Sequence, residues 1–231
     1  CIHELVHFSR PDSIAFGRPV YDFRHALGQA LAVESPVEAD VVIPVPDSGV
    51  PGALGYSYAS GIQYGLGLIR SHYAGGRYIE PSQQIRDFGV KLKLSPVRSV
   101  IVGMRVVVVD NTLMRGTTLK KVVRMLRQYG ASEIHVRITS PPTISNCFCG
   151  TDALSIQHLI AARMKISDIQ KYLGADSLAY LSLVGLRQVE GDDQGRFCEG
   201  CFTAEYPIDP RPDRLQRQMP LFVEGKSSEE Q

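Results

Sequence analysis

The stretch VVVVDNTLMRGTT, Val106 to Thr118, constrains the fold more than any other part of the chain. Four consecutive β-branched residues suit a pleated surface and read as a buried strand. The strand runs into an acid, Asp110, and then into a loop ending Arg115-Gly116-Thr117-Thr118. Helical spacing follows in TLKKVVRMLRQYG. In a parallel sheet, ligands collect outside the carboxyl ends of the strands. A loop of small, hydroxyl-bearing residues opening a helix aims backbone N–H groups outward, and the helix dipole favours an anion there. The loop therefore suits a phosphate, and Asp110 suits hydroxyls or a metal. A plainer reading stays open at this point, with Thr117 as a helix N-cap and Asp110 as a solvated strand end.

Strands and helices alternate through the rest of the chain. CIHELVHFSRPDS reads as an alternating apolar strand stopped by Arg10-Pro11-Asp12-Ser13, and Val20, Phe23, Leu27 and Leu31 recur at helical spacing. ADVVIPVPDSG is a short buried strand entering a turn, Pro46-Asp47-Ser48-Gly49. VPGALGYSYASG is a helix ended by Gly61, and IQYGLGLIR and EIHVRITSPP are strands. KISDIQKYLGADSLAYLSLVGLRQVE reads as two short helices. The alternation implies a parallel α/β sheet flanked by helices. Two anion-suited turns at neighbouring strand ends point to a ligand with two phosphate groups, although either turn alone is an ordinary connection. Between Ser71 and Arg98 lies a long basic loop carrying Arg77, Arg86, Lys91 and Lys93. Loops of that length are usually functional or disordered.

A net charge of +1 over 231 residues gives no large basic field, which excludes a nucleic-acid or membrane-surface protein of the usual kind. Apolar runs are strand length, far short of the roughly 18 residues of a membrane span. No P-loop or dinucleotide fingerprint occurs. The N-terminus has no signal-peptide pattern. The five cysteines, Cys1, Cys147, Cys149, Cys198 and Cys201, are an odd set that argues against a disulfide framework, so a cytoplasmic location is expected. Cys198-x-x-Cys201 is a two-ligand hook that Cys1 and Cys147 complete as a four-thiolate set. Such a set suits zinc or an iron–sulfur cluster, and spacing does not choose between them.

VVVVDNTLMRGTT resembles the phosphoribosyl-pyrophosphate (PRPP) loop of type I phosphoribosyltransferases. Together with RPDS, VPDSGVPGALGYS, GLIRSHYAGGRYIEPSQQIRDFGVKLKLSPVRSV, HVRITSPP and CFTAEYP, it resembles the glutamine PRPP amidotransferase family over about Cys1 to Pro207. The resemblance implies a type I phosphoribosyltransferase fold, a parallel sheet flanked by helices with a C-terminal cysteine-bearing appendage. Residues 1–15 would form an N-terminal segment with a cluster ligand and 16–145 the transferase domain. Residues 146–208 would form a helical segment with the other ligands and 209–231 a disordered tail.

The implied activity transfers ammonia, drawn from glutamine in the full enzyme, to C1 of PRPP. The products are 5-phosphoribosylamine and pyrophosphate, at the first committed step of purine synthesis. By resemblance, Asp110 and Asn111 meet the ribose hydroxyls and Mg²⁺, with Thr112 in the same substrate-binding loop. Arg115, Gly116, Thr117 and Thr118 hold the 5′-phosphate. Asp47, Ser48 and Gly49 meet the pyrophosphate, Ser48 at a third magnesium position, and Arg77 and Lys91 add phosphate contacts. The family's second acid is replaced by Asn111, which implies weaker binding, slower turnover, or a module that binds PRPP or nucleotides without turnover. A [4Fe–4S] cluster on Cys1, Cys147, Cys198 and Cys201 is implied, with Cys149 outside it. No glutaminase half is read in this sequence, so free ammonia is the expected nitrogen donor. Purine nucleotides as feedback inhibitors, a missing glutaminase domain and a homotetramer are the implied partners, with no nucleic acid and no membrane.

Overall fold

A computed structural model describes residues 1–70, 94–147, 156–191 and 195–208. Arg77, Arg86, Lys91, Lys93, Cys149 and the 209–231 segment lie outside the described residues. The chain opens on a π-helical turn, Glu4–Phe8, followed by a minimal hairpin, β1 (Ile14–Ala15) and β2 (Arg18–Pro19). Then come α1 (Val20–Glu34), β3 (Val41–Pro44), α2 (Val50–Ser60) and β4 (Leu68–Arg70). β5 (Leu94–Pro96), α3 (Arg98–Ile101), β6 (Arg105–Asp110), α4 (Thr117–Gln128) and β7 (Glu133–Ile138) follow. The last part holds α5 (Ile160–Arg163), α6 (Ile166–Leu173), β8 (Ser177–Tyr180), α7 (Leu183–Glu190) and α8 (Gly200–Thr203).

The main sheet has the order β3-β6-β7-β8 and every pairing in it is parallel. The valine run of β6 explains itself here. Val106 and Val108 pack on one face with Leu119, Leu126 and Ile134, beneath α4 and α6. Val107 and Val109 pack on the other with Leu27, Leu31 and Tyr56 of α1 and α2. A parallel strand covered on both faces needs a continuous apolar run rather than alternation. Each fully buried valine contributes about 1.5–3 kcal/mol. The fold is a parallel α/β sheet covered by helices on both faces, as expected.

Three local readings are corrected. The N-terminal stretch is a π-helical turn rather than a strand. Ile2, Leu5 and Val6 are all fully buried, a spacing that one helical face satisfies and alternation does not. The buried Arg24 holds this turn by donating from Nε to the Leu5 carbonyl (2.9 Å) and from Nη2 to the Ser9 carbonyl (2.7 Å). IQYGLGLIR is strand only at β4, which pairs antiparallel with β5 outside the main sheet, while Tyr64 makes one isolated parallel bridge to Val42. The supposed pair of short helices near the C-terminus contains β8 between them, and this strand extends the main sheet beyond β7.

Candidate functional site

β3 and β6 are neighbours in register, Pro44 opposite Val109, so their carboxyl ends finish side by side. Each then turns into a helix. From β3, the turn runs through Pro46, Asp47 and Ser48 to Gly49, with the Pro46–Asp47 peptide cis. The Val45 N–H donates to the Val109 carbonyl (2.8 Å), and the Gly49 N–H to the Val45 carbonyl (2.9 Å). A Cβ on Gly49 would sit 2.4 Å from the Val109 carbonyl oxygen, so only glycine lets the two turns lie this close.

Asp110 ends β6 and is buried. Its Oδ1 accepts from the Asn111 N–H (2.8 Å) and from the Ser48 hydroxyl (3.3 Å), joining the two turns directly. Burial pushes the carboxyl from its ordinary 3.8 up to about 7, against the opposing pull of those two donors. The solvated strand end of the plainer reading is therefore not what forms. Nor is Thr117 the cap of α4. Gly116 takes that position at φ 77°, the left-handed region, and contributes no side chain. Arg115, Thr117 and Thr118 are exposed around this helix start, Gly116 is buried, and Thr112 is half-buried.

Asn111 turns away from this edge. It is buried, and its Nδ2 lies 2.7 Å from the His7 Nδ1 and 3.4 Å from the Val6 carbonyl. A carbonyl only accepts, so the amide nitrogen belongs on that side. The His7 Nδ1 is then the acceptor, and its imidazole is neutral. Burial first, then the Arg24 guanidinium, holds His7 below its ordinary range, while the Asn111 bond opposes them. Asp47 is exposed, and the Arg70 Nη1 pairs with its Oδ2 at 2.7 Å. His7 and Arg70 were not singled out from sequence. Arg70 had a signal, a cation closing a strand just before the basic loop, whereas His7 had none.

A family model of the phosphoribosyl transferase domain matches residues 24–139. The chain belongs to the phosphoribosyltransferase family. It is 56% identical over 217 residues to amidophosphoribosyltransferase 2, chloroplastic, of Arabidopsis thaliana, covering 94% of this chain and 39% of that protein. It is 46% identical to the amidophosphoribosyltransferase of Synechocystis, covering 94% of this chain and 44% of that one. The solved glutamine PRPP amidotransferase from B. subtilis, complexed with ADP and GMP, matches with a TM-score of 0.85 and 46% identity. That match covers 92% of this chain and 48% of that one. This phosphoribosyltransferase domain is thus homologous to glutamine PRPP amidotransferases and spans about two fifths of the length of the curated relatives it matches. No helix among the described residues is long and apolar enough to cross a membrane.

The iron–sulfur expectation is corrected. Among the described residues, no group of three or more His, Cys, Asp or Glu side chains is placed to hold a metal ion. Cys1, Cys147, Cys198 and Cys201 do share one cavity of about 220 Å³, but the fold does not gather them as a ligand set for a [4Fe–4S] cluster or zinc. None of the four is in a disulfide. The cavity is also lined by Phe8, Met114 and Leu159, and burial pushes the Cys201 thiol up to about 12, so it stays protonated. The trio Ser48, Asp110 and Asn111 offers magnesium one hydroxyl, one carboxylate and one amide oxygen, the amide nitrogen of Asn111 being held by the N-terminal turn.

Proposed function

We propose that this chain is the phosphoribosyltransferase half of an amidophosphoribosyltransferase. Ammonia attacks C1 of PRPP, the bond from C1 to the diphosphate oxygen breaks, and the attacking nitrogen sheds a proton. The products are 5-phosphoribosylamine and pyrophosphate. In this reading the start of α4, Arg115 to Thr118, holds the 5′-phosphate through backbone N–H groups, hydroxyls and the guanidinium. Asp110 accepts the ribose hydroxyls and, once charged, faces the oxocarbenium-like ring that forms as the leaving group departs. Ser48 and Gly49 face the diphosphate, with Thr112 lining the sugar. Arg70 neutralises Asp47 so that the turn does not repel the anion. Hydrolysis of glutamine belongs to a region outside these residues. Inhibition by purine nucleotides is part of the same proposal, since the B. subtilis relative was solved with ADP and GMP.

The observation that carries the reading is the contact of the two strand-end turns, Ser48 Oγ to Asp110 Oδ1 at 3.3 Å, on the carboxyl edge of a parallel sheet. The test is pyrophosphate release from PRPP with an ammonium salt at pH 8 in magnesium-containing buffer. Release that depends on ammonia is expected. Asn111 favours a second reading, a module that binds PRPP without turnover, because its amide nitrogen is committed to the N-terminal turn. That reading requires a calorimetric signal for PRPP with no pyrophosphate. A chain that neither binds PRPP nor releases pyrophosphate would defeat both.

A further inference from the structure

Asn111 sits in the middle of the proposed sugar-binding loop, yet its amide nitrogen reaches out of the loop to the N-terminal π-helical turn. The turn is itself fixed from beneath by Arg24, whose guanidinium donates to the carbonyls of Leu5 and Ser9. Leu5 and Val6 are fully buried against α1, so the turn offers a rigid anchor and not a loose strap. His7 projects from that anchor with its Nδ1 2.7 Å from the Asn111 amide nitrogen. Phe8 meets the same imidazole edge to face, with ring centroids 5.4 Å apart. The chain thus runs anchor, imidazole, amide, Asp110. Among the described residues the Asn111 N–H is one of two donors on the Asp110 Oδ1, so a shift of residue 111 is felt at the carboxylate without an intermediary.

We infer that His7 is a positioning residue for PRPP: through Asn111 it sets the loop, and with it the Asp110 carboxylate, in the geometry that receives the sugar. This rests on the function proposed above. An amide at position 111 is what makes the arrangement work, because its NH₂ serves the imidazole nitrogen and the Val6 carbonyl together. A carboxylate there would face that carbonyl oxygen, acceptor against acceptor. The replacement of an acid by Asn111 is thereby given a use, namely a link to the N-terminal turn instead of a second charge in the sugar site. His7 touches no substrate in this account. Its loss should weaken ground-state and transition-state binding alike, which raises KM and spares kcat.

The experiment compares His7→Leu and His7→Asn in the ammonia-dependent reaction, with KM for PRPP and kcat measured separately. In asparagine the side-chain oxygen stands near the place of Nδ1 and keeps an acceptor for the Asn111 amide. Losing the acceptor of a buried donor predicts that His7→Leu raises KM on the order of tenfold with kcat within about twofold. His7→Asn should return KM to within about threefold of the parent. In an Asn111→Ala background, His7→Leu should change KM by less than about twofold, since the connection is already cut. A purely structural histidine would instead lower the melting temperature and the active fraction, leave KM alone, and not be rescued. Unchanged KM in His7→Leu, or an equal rise in the Asn111→Ala background, overturns the inference while the parent enzyme still turns over. Failure of the parent to release pyrophosphate would count against the proposed function instead.

Discussion

Asp110→Asn should make the protein more stable and nearly inactive. The carboxyl is buried at the end of β6 and is pushed by that burial from 3.8 up to about 7. A group that holds its proton more tightly when folded stabilises fully below about pH 4. That stabilisation drains away as the pH climbs and is gone above about 7. The gap corresponds to about 4 kcal/mol, a ceiling for what the desolvated charge costs the fold at pH 8. Asparagine keeps an oxygen for the Asn111 N–H and the Ser48 hydroxyl, now at 2.8 Å and 3.3 Å, and carries no charge. Allowing for the hydration of its new NH₂, the net gain at pH 8 should be about 2–3 kcal/mol. For a chain of this size that raises Tm by about 5–10 °C. At pH 4 the two proteins should melt within about 2 °C of each other. Scanning calorimetry at both pH values checks this. Pyrophosphate release should fall on the order of a hundredfold or more, as when an electrostatic group facing developing charge is removed. A Tm difference that is the same at pH 4 and pH 8, or a loss of stability at pH 8, would refute the reasoning.

Two other substitutions probe the frame of the site. Gly49→Ala places a methyl 2.4 Å from the Val109 carbonyl oxygen and 2.9 Å from that of Val45, both in backbone that cannot swing aside. Urea denaturation should register a loss of about 1–3 kcal/mol, and KM for PRPP should rise as the turns are forced apart. Arg24→Leu takes the donors from the Leu5 and Ser9 carbonyls while keeping most of the buried bulk. A loss of about 2–4 kcal/mol is expected in urea with an unchanged m-value, together with faster proteolysis at the N-terminal turn.

The legible parts of this protein carry their signal locally. β6 and the start of α4 were readable because four valines and a Gly-Thr-Thr each force a backbone choice on their own. The turn after β3 was readable for the same reason. β8 was not, because four residues with Leu178 and Tyr180 turned inward are too few to outweigh the helical periods on either side. It is a strand because β7 offers His135 to Ile138 as a ladder for Ser177 to Tyr180. The N-terminal turn misleads similarly, since HELVHF alternates well enough on paper while Arg24, far along the chain, decides its conformation. The cysteines show the other side of this limit. Their spacing matched a ligand set, but spacing does not fix how four thiols from distant segments are aimed, and among the described residues no metal-holding group forms from them. The site divides along the same line. Asp110 and the two phosphate-suited turns follow from strand ends, whose geometry any parallel sheet repeats. The contact from Asn111 to His7 spans 104 residues of sequence, and no local pattern encodes it. Chemistry at a strand end can be read from the strand, but the groups that hold it in place belong to whichever segment the core packs beside it.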